Sequence, residues 1–411
     1  MSFIAELKWR GLLNNITNQT KIQYFEEQHG GTYIGFDPSS DSLHLGNYIM
    51  ILILRWLKKF GHKPIAVIGG ATGQIGDPSG KKTERTMLDI EKAKKNVLAI
   101  QEQLKKYADV EIFDNAAIYK NTTLFDFLRN VGKLINVNYL LEKDIIKSRL
   151  ESGISYSEFS YNLIQGYDFA WLYHHKSIVL QIGGSDQWGN ITTGIEIIRK
   201  MYGDNNHACG LTISLLTKAD GSKFGKTENG AIFLDKKYTS PFMMYQFLYN
   251  QSDADVDKLL KCLTMLEQKD IKDIIQKHNN APFKRIAQTR LTQSVLTDIH
   301  GEHEYQRCLK ISNALFKGNI EQLEVNELYD ALTSLPSFVA TEHSYNITDL
   351  LVLCGACISK SESRKLIQTN SIYVNNKLIN SFDTNINQSD SINNKFSYIK
   401  KGKKNYFLIK W

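Results

Sequence analysis

The sequence predicts an α/β protein in which an open parallel-sheet domain leads into an all-helical domain and then a small C-terminal α+β domain. Three observations predict it. Strand-like apolar runs alternate with helix-like stretches over residues 1–220. From Ser240 to Phe316 the strand signals vanish, while leucine and isoleucine recur at helical spacing. A helix–strand–turn order then runs into a basic tail. The 411 residues, at roughly 100–200 per domain, allow two to four domains. That is ample for a buried core without disulfide or metal staples.

The elements follow in order. Met1–Leu13 mixes Glu6, Lys8 and Arg10 with apolar residues and reads as an amphipathic helix. Thr32–Phe36 reads as a buried strand, broken by Asp37-Pro38. Asn47–Phe60 is an apolar helix stopped by Gly61, and Pro64–Ile68 is a second strand ending at Gly69-Gly70. Strand, crossover helix, strand makes a right-handed parallel unit. Val110–Phe113, Ser177–Ile182 and Gly210–Ile213 extend the sheet, giving a Rossmann-like domain over residues 1–220. Ligands of such sheets sit at the carboxyl ends of the strands. Residues 221–316 carry a nucleotide loop and the helical domain, 317–346 reads as a connector containing Pro336, and 347–411 forms the last domain.

Composition narrows the class. With 42% hydrophobic and 23% charged residues the chain is not disordered or collagen-like. The longest apolar run, Tyr48–Leu54, is far short of the ~20 residues that span a bilayer. Nothing at the N-terminus has the order of a signal peptide, so a cytoplasmic location is expected and no membrane partner. Five scattered cysteines argue against a disulfide framework. Cys354-Gly-Ala-Cys357 has no second pair, and reads as two small residues packing a helix rather than a metal site. Of the net charge of +7, the last 71 residues hold +5. Lys395–Trp411 has six lysines and no acid, interleaved with Phe396, Tyr398, Tyr406, Phe407 and Trp411. Lysines release counterions from a phosphate backbone, and aromatics can stack on bases. A helix over Ser359–Asn370, the strand Ser371–Val374, an Asn375-Asn376 turn and Lys377-Leu-Ile resemble the S4-type RNA-binding fold.

Two motifs carry chemistry. Asp37-Pro-Ser-Ser-Asp-Ser-Leu-His44-Leu-Gly46-Asn47 joins the first strand to the apolar helix, placing His44 at a helix N-terminus, where backbone N–H groups attract anions. Gly46 allows a flat ligand to approach the backbone. Lys218-Ala-Asp-Gly-Ser-Lys223-Phe-Gly225-Lys226-Thr227 suits a loop that closes on a polyphosphate. Neither is a P-loop. G-x-x-x-x-G-K-[ST] would need glycine at 220, which is Asp220, and Gly80-Lys81 has Ile75 and Lys82 at the required positions. Tyr161, Gln165 and Asp168 are spaced i, i+4, i+7, so one helical face can present all three.

Together the two motifs resemble the H-x-G-H and K-M-S-K-S signatures of class I aminoacyl-tRNA synthetases. Asn47 stands where the second histidine is usual, and the loop reads K-F-G-K-T. Tyr33–Gly46, Gly69–Arg85, Ile154–Ala170, Gln181–Thr192 and Thr217–Gly230 look like the bacterial-type tyrosyl-tRNA synthetase family, over nearly the whole chain. A tryptophanyl-tRNA synthetase shares the α/β core, but Tyr33, Asp168 and the S4-like tail favour the tyrosyl branch. Small class I nucleotidyltransferases usually lack the later domains. The intact lysine loop argues against an RNA-binding protein that has lost catalysis.

The resemblance implies ATP-dependent activation of tyrosine and its transfer to tRNA(Tyr), with Mg²⁺ on the pyrophosphate. Tyr33 and Asp168 would hold the phenolic hydroxyl, and Asp77, Tyr161 and Gln165 the amino group. Gln187 would meet the carboxylate or α-phosphate, and Asp186 the ribose, with Gly35, Asp37, Gly46 and Gly183 flooring the nucleotide. His44, Asn47, Lys81, Arg85, Lys223, Lys226 and Thr227 would stabilise the reacting phosphates. The resemblance also implies RNA contacts at Arg364, Lys365, Lys377, Lys403 and Lys404. It further implies a homodimer through an insertion near 115–155, with an apolar patch at Phe125, Phe127 and Leu128.

Overall fold

The computed structural model describes residues 2–79, 89–150, 153–222, 224–227, 230–317, 320–333, 335, 337–402 and 405–411. Six strands form the first sheet: β1 Leu13–Ile16, β2 Gly31–Phe36, β3 Lys63–Ile68, β4 Glu111–Asp114, β5 Ile178–Gly184 and β6 Cys209–Ile213. Their order is β1-β6-β5-β2-β3-β4. The five strands β2 to β6 pair in parallel, and β1 is antiparallel on β6. The sequence reading gave the parallel core and missed the edge. β1 is a short Leu-Asn-Asn-Ile run, and an antiparallel edge strand needs no continuous apolar stretch. The inner strands are apolar because both of their faces are covered: Tyr33, Ile34, Ile65, Ala66, Val67 and Ile68 are all buried.

The order reverses at β2, with β3 on one side of it and β5 on the other. That switch point opens a crevice beyond the carboxyl ends of β2 and β5. Helix α1 Phe3–Trp9 opens the chain, and three more, α2 Leu45–Lys59, α3 Ile90–Ala108 and α4 Tyr156–Lys176, line the crevice. A fifth, α5 Trp188–Tyr202, crosses α4 closely. A Cβ on Gly166 of α4 would lie 2.8 Å from the Ile197 side chain and 3.2 Å from the Gly194 nitrogen. This contact fixes the rotation of α4, and with it the face bearing Tyr161, Gln165 and Asp168.

The chain folds into two compact units. The first joins Met1–Tyr238 to Gln251–Leu291, and the second joins Thr239–Asn250 to Thr292–Trp411. The helices after Ser240 therefore divide between the units, and Arg10 shows why. It is 1% exposed. Its Nη1 donates to the carbonyls of Lys261 (2.6 Å) and Thr264 (3.0 Å), its Nη2 to that of Leu266 (2.7 Å) and its Nε to Glu6 (2.7 Å). The guanidinium also lies 4.1 Å from the Trp56 ring centroid. Three carbonyls at the end of helix α6 (Asp253–Leu263) are thus satisfied from the N-terminal segment.

The second unit carries a five-stranded sheet in the order Lys377–Leu378, Ile372–Val374, Phe396–Lys401, Asn405–Lys410, Ser337–Val339. The helix Lys360–Gln368, capped by Ser359, precedes Ile372–Val374. Asn375 and Asn376 both have positive φ, the geometry of a tight hairpin turn. The stretch 317–346 is not a bare connector. Val325–Thr333 is a helix burying Leu328, Ala331 and Leu332, and Ser337–Val339 pairs in parallel with the last strand. Phe396, Tyr398 and Tyr406 are buried, so these aromatics of the basic tail build the fold rather than offer faces to bases. Cys354 and Cys357 are buried in a core with Ile367, Ile372, Ile399 and Ile409. Arg364, Lys365 and Lys377 are exposed, while Lys403 and Lys404 lie outside the described residues.

In the first unit Phe125 and Leu128 are exposed as expected, but Phe127 turns inward and packs edge-on against Tyr167, at 5.9 Å between centroids. Among the described residues no helix is long and apolar enough to cross a membrane.

Candidate active site

The crevice at the switch point is a cleft of about 430 Å³. β2 supplies Tyr33 and Gly35, and the loop after it supplies Asp37. Gly35 is exposed within an otherwise buried strand, and a Cβ there would meet nothing within 4 Å, so the strand presents bare backbone to the cleft. Across the cleft, Gly183 and Gly184 end β5, and Asp186 and Gln187 follow in a single 3₁₀ turn. α4 contributes Tyr161, Gln165 and Asp168 from one face, as their spacing requires. Asp77 completes the wall.

One end of the cleft is a buried polar pocket. Asp168 is 3% exposed. Its Oδ1 accepts the Tyr119 hydroxyl at 2.5 Å and its Oδ2 the Asn115 amide at 2.8 Å. Asn115 is fixed in turn by the Ala71 N–H on its carbonyl oxygen (2.8 Å) and by Thr72 Oγ1 (3.0 Å). Burial pushes the Asp168 carboxyl up to about 7; the bonds from Tyr119 and Asn115 oppose that shift, and the charge of Asp37 adds to it. Tyr33 lies beside this carboxylate on β2, and burial followed by the Asp168 charge raises its phenol well above the ordinary tyrosine value. The Tyr33 hydroxyl is buried and has no hydrogen-bond partner. Gln181, the cross-strand neighbour of Tyr33 on β5, likewise has a buried, unpaired Oε1.

Beside the pocket a second polar group is already knitted together. Asp77 accepts the Ser79 N–H (2.8 Å) and Gln187 Nε2 (2.7 Å). Gln187 Oε1 accepts Asn190 (2.9 Å) and Gln165 (3.3 Å), and Gln165 keeps a buried, unpaired Oε1 of its own.

The other end is the N-terminus of α2. His44 is its N-cap. The imidazole Nδ1 accepts the N–H groups of Gly46 (3.0 Å) and Asn47 (3.3 Å), while Asn47 Oδ1 accepts the His44 N–H (3.1 Å). This reciprocal cap satisfies helix-end donors and fixes the tautomer, putting the ring proton on Nε2. It also fixes Asn47: with its oxygen engaged, the amide NH₂ remains as donor. Gly46 has a local reason as well as the expected one, because a Cβ there would lie 2.9 Å from the His44 ring.

Main-chain hydrogen bonds tie the lysine loop to this helix end. Leu45 N–H donates to Ile232 (2.9 Å), Leu234 N–H to Leu43 (2.8 Å) and Ile232 N–H to Gly225 (3.0 Å). Lys226–Thr227 pairs with Gly230–Ala231, the Lys226 and Thr227 side chains lying outside what is described. Lys81, Arg85 and Lys223 also lie outside the described residues. The fold thus gathers the tyrosine and nucleotide residues named from sequence, and adds Asn115, Tyr119 and Gln181, which sequence reasoning missed. Asn115 directly follows β4, where strand-end logic would have found it. Nothing local marks Tyr119.

Residues 26–317 match the model for class I tRNA synthetases (W and Y), and residues 327–409 match that for the tyrosine–tRNA ligase SYY-like C-terminal domain. The chain is 53% identical over 410 residues to the tyrosine–tRNA ligase of Ureaplasma parvum, covering 100% of this chain and 99% of that protein. It belongs to the tyrosyl-tRNA synthetase family. The Geobacillus kaustophilus tyrosine–tRNA ligase is 44% identical over 419 residues, with both chains fully covered. Among solved structures, a C-terminally truncated Aspergillus nidulans mitochondrial tyrosyl-tRNA synthetase superposes with a TM-score of 0.69 at 30% identity, over 77% of this chain and 94% of that one. The chain is accordingly a tyrosine–tRNA ligase, with ATP as a substrate.

Proposed function

We propose that the cleft itself performs both steps of tyrosine ligation, with the residues assigned as follows. A tyrosine carboxylate oxygen attacks the α-phosphorus of ATP, the bond from that phosphorus to the bridging oxygen breaks, and pyrophosphate leaves. A hydroxyl of the 3′-terminal ribose of tRNA(Tyr) then attacks the tyrosyl carbonyl and AMP departs. The first nucleophile is already anionic, so the work of the site is positioning and charge stabilisation.

Tyr33 and Asp168 receive the substrate phenol, and Asp77, Tyr161 and Gln165 its ammonium. Gln187 orients the carboxylate. Gly35, Asp37, Gly46, Gly183 and Asp186 cradle the nucleotide. His44 Nε2–H and the Asn47 amide donate to the phosphates, joined by Lys81, Arg85, Lys223, Lys226 and Thr227. Mg²⁺ bound to the nucleotide would supply charge neutralisation at the leaving pyrophosphate; among the described residues no three His, Cys, Asp or Glu side chains gather to hold an ion.

The observation that carries the pocket is the buried, unpaired Tyr33 hydroxyl beside a buried carboxylate. A site built to hydrogen-bond a hydroxyl rejects the analogue that lacks it, a rule for which this family is the reference case. Arg364, Lys365 and Lys377 are exposed and suited to the tRNA backbone, and we assign Lys403 and Lys404 the same role. Exposed Leu124, Phe125, Leu128, Val137 and Tyr156 support a homodimer through this region. The cytoplasm, where tRNA, ATP and tyrosine meet, is the expected location.

ATP–pyrophosphate exchange with tyrosine, phenylalanine and tryptophan in parallel tests the assignment. Exchange with tyrosine alone is expected. Equal exchange with phenylalanine would overturn the pocket.

A further inference from the structure

Asp168 is hydrogen-bonded before any substrate reaches it. Tyr119 Oη lies 2.5 Å from Oδ1, and Asn115 Nδ2 lies 2.8 Å from Oδ2. Tyr119 has one hydrogen and a second acceptor, the Ile164 carbonyl, at 2.9 Å. The 2.5 Å separation falls in the range of a charge-assisted O–H···O⁻ bond, so the carboxylate takes the hydrogen. An ionised carboxylate has about four acceptor positions. Two are used by the protein, and the others stay available to a donating phenol. Once protonated, Asp168 becomes a donor at one oxygen and a poorer acceptor for the hydroxyl that tyrosine must donate.

The groups facing Asp168 are Tyr33 from β2, Tyr119 from the short helix Ala116–Tyr119, Tyr167 from its own helix and Asp37 from the loop after β2. Three are phenols, each raised further by burial, so they remain neutral. The fourth is a carboxylate, which opposes a second negative charge. Among the described residues Asp168 makes no ion pair, so hydrogen bonds must hold its charge.

We propose that Tyr119 is a positioning residue that keeps Asp168 a pure hydrogen-bond acceptor near neutral pH, and so sets the pH range over which tyrosine binds. The proposal rests on the tyrosine pocket assigned above. The enzyme's own phenol and the substrate's phenol then share one carboxylate, the first keeping it ionised for the second.

The test is the Kd for tyrosine by equilibrium dialysis from pH 6 to 9.5, for wild type, Tyr119→Phe and Asp168→Asn. A hydrogen bond to a charged group is typically worth one to two pK units, roughly. Tyr119→Phe should therefore move the acidic rise in Kd upward by about one to two units. Relative to wild type it should weaken binding roughly 5–50-fold at pH 7 and by less than about 1.5-fold at pH 9.5. Asp168→Asn should weaken binding at every pH and flatten the profile. If Tyr119→Phe changes Kd by one factor at all pH values, or not at all, the ring only packs and the proposal is overturned. If Asp168→Asn leaves Kd unchanged, the pocket assignment itself falls, and the proposal with it.

Discussion

Replacing Tyr33 by phenylalanine should move stability and substrate binding in opposite directions. The ring is 2% exposed and packs on Phe169 at 5.5 Å between centroids, and this packing survives the change. Only the hydroxyl is lost, and in the free protein it is buried without a partner. A buried unsatisfied polar group costs about 1–3 kcal/mol. Its removal should therefore leave the ligand-free protein as stable as wild type or more stable, by about 1 kcal/mol. In the complex the hydroxyl meets the substrate phenol, a bond worth about 0.5–1.5 kcal/mol net, so tyrosine should bind roughly 2–13-fold more weakly. Phenylalanine, which offers no partner, should bind no worse. Urea unfolding of ligand-free protein and dialysis with both amino acids check this together. A variant destabilised by more than about 1 kcal/mol with tyrosine affinity intact would make the hydroxyl structural and refute the reasoning.

Three further outcomes follow from other parts of the molecule. Burial, together with the neighbouring His29, pushes the His62 imidazole down to about 4. The unfolded state therefore binds more protons between pH 6.5 and 4, and stability should fall as pH drops through that window, by up to about 3 kcal/mol. Urea midpoints against pH should show this slope in wild type and lose it in His62→Phe. Arg10→Ala should cost about 3–5 kcal/mol, because it strands the buried Glu6 carboxylate and three helix-end carbonyls; a loss below about 1 kcal/mol in equilibrium unfolding would contradict it. Gly46→Ala would drive a Cβ against the His44 ring, so the activation rate should fall by roughly 10²-fold while tyrosine affinity stays near wild type. Single-turnover adenylate formation separates the two.

The parts of this protein legible in sequence are those whose signal is local. The apolar runs of β2, β3 and β5 announce a sheet buried on both faces, and the spacing of Tyr161, Gln165 and Asp168 places them on one helical face. His44 at a helix N-terminus is a local signal as well. The features missed depend on partners far along the chain. β1 is a strand only because β6 offers it an edge. Ser337–Val339 is ordered by pairing with residues 408–410. Arg10 reads as one basic residue of an amphipathic helix, and its role emerges only against carbonyls more than 250 residues away. Lysines interleaved with aromatics in the tail suggest a base-stacking surface, yet Phe396 and Tyr398 on one face of the hairpin and Ile399 and Ile409 on the other are all buried, so the strands are covered on both sides and these aromatics pack.

The tie between the two signature motifs bears on how such a site tolerates change. Backbone hydrogen bonds join Leu45 to Ile232, Leu234 to Leu43, and Ile232 to Gly225. Main-chain bonds do not read side chains. The anchoring residues are nonetheless constrained, since Leu43, Leu45, Ile232 and Leu234 are buried and Gly225 has a positive φ, but the side chains of the exposed stretch 219–222 can change without touching the tie. Proline is excluded from the tie itself. At position 45, 232 or 234 it would delete the very N–H that makes the tie. The attachment of the phosphate loop is thus carried by backbone geometry and buried apolar side chains, while the exposed lettering ahead of it has room to change.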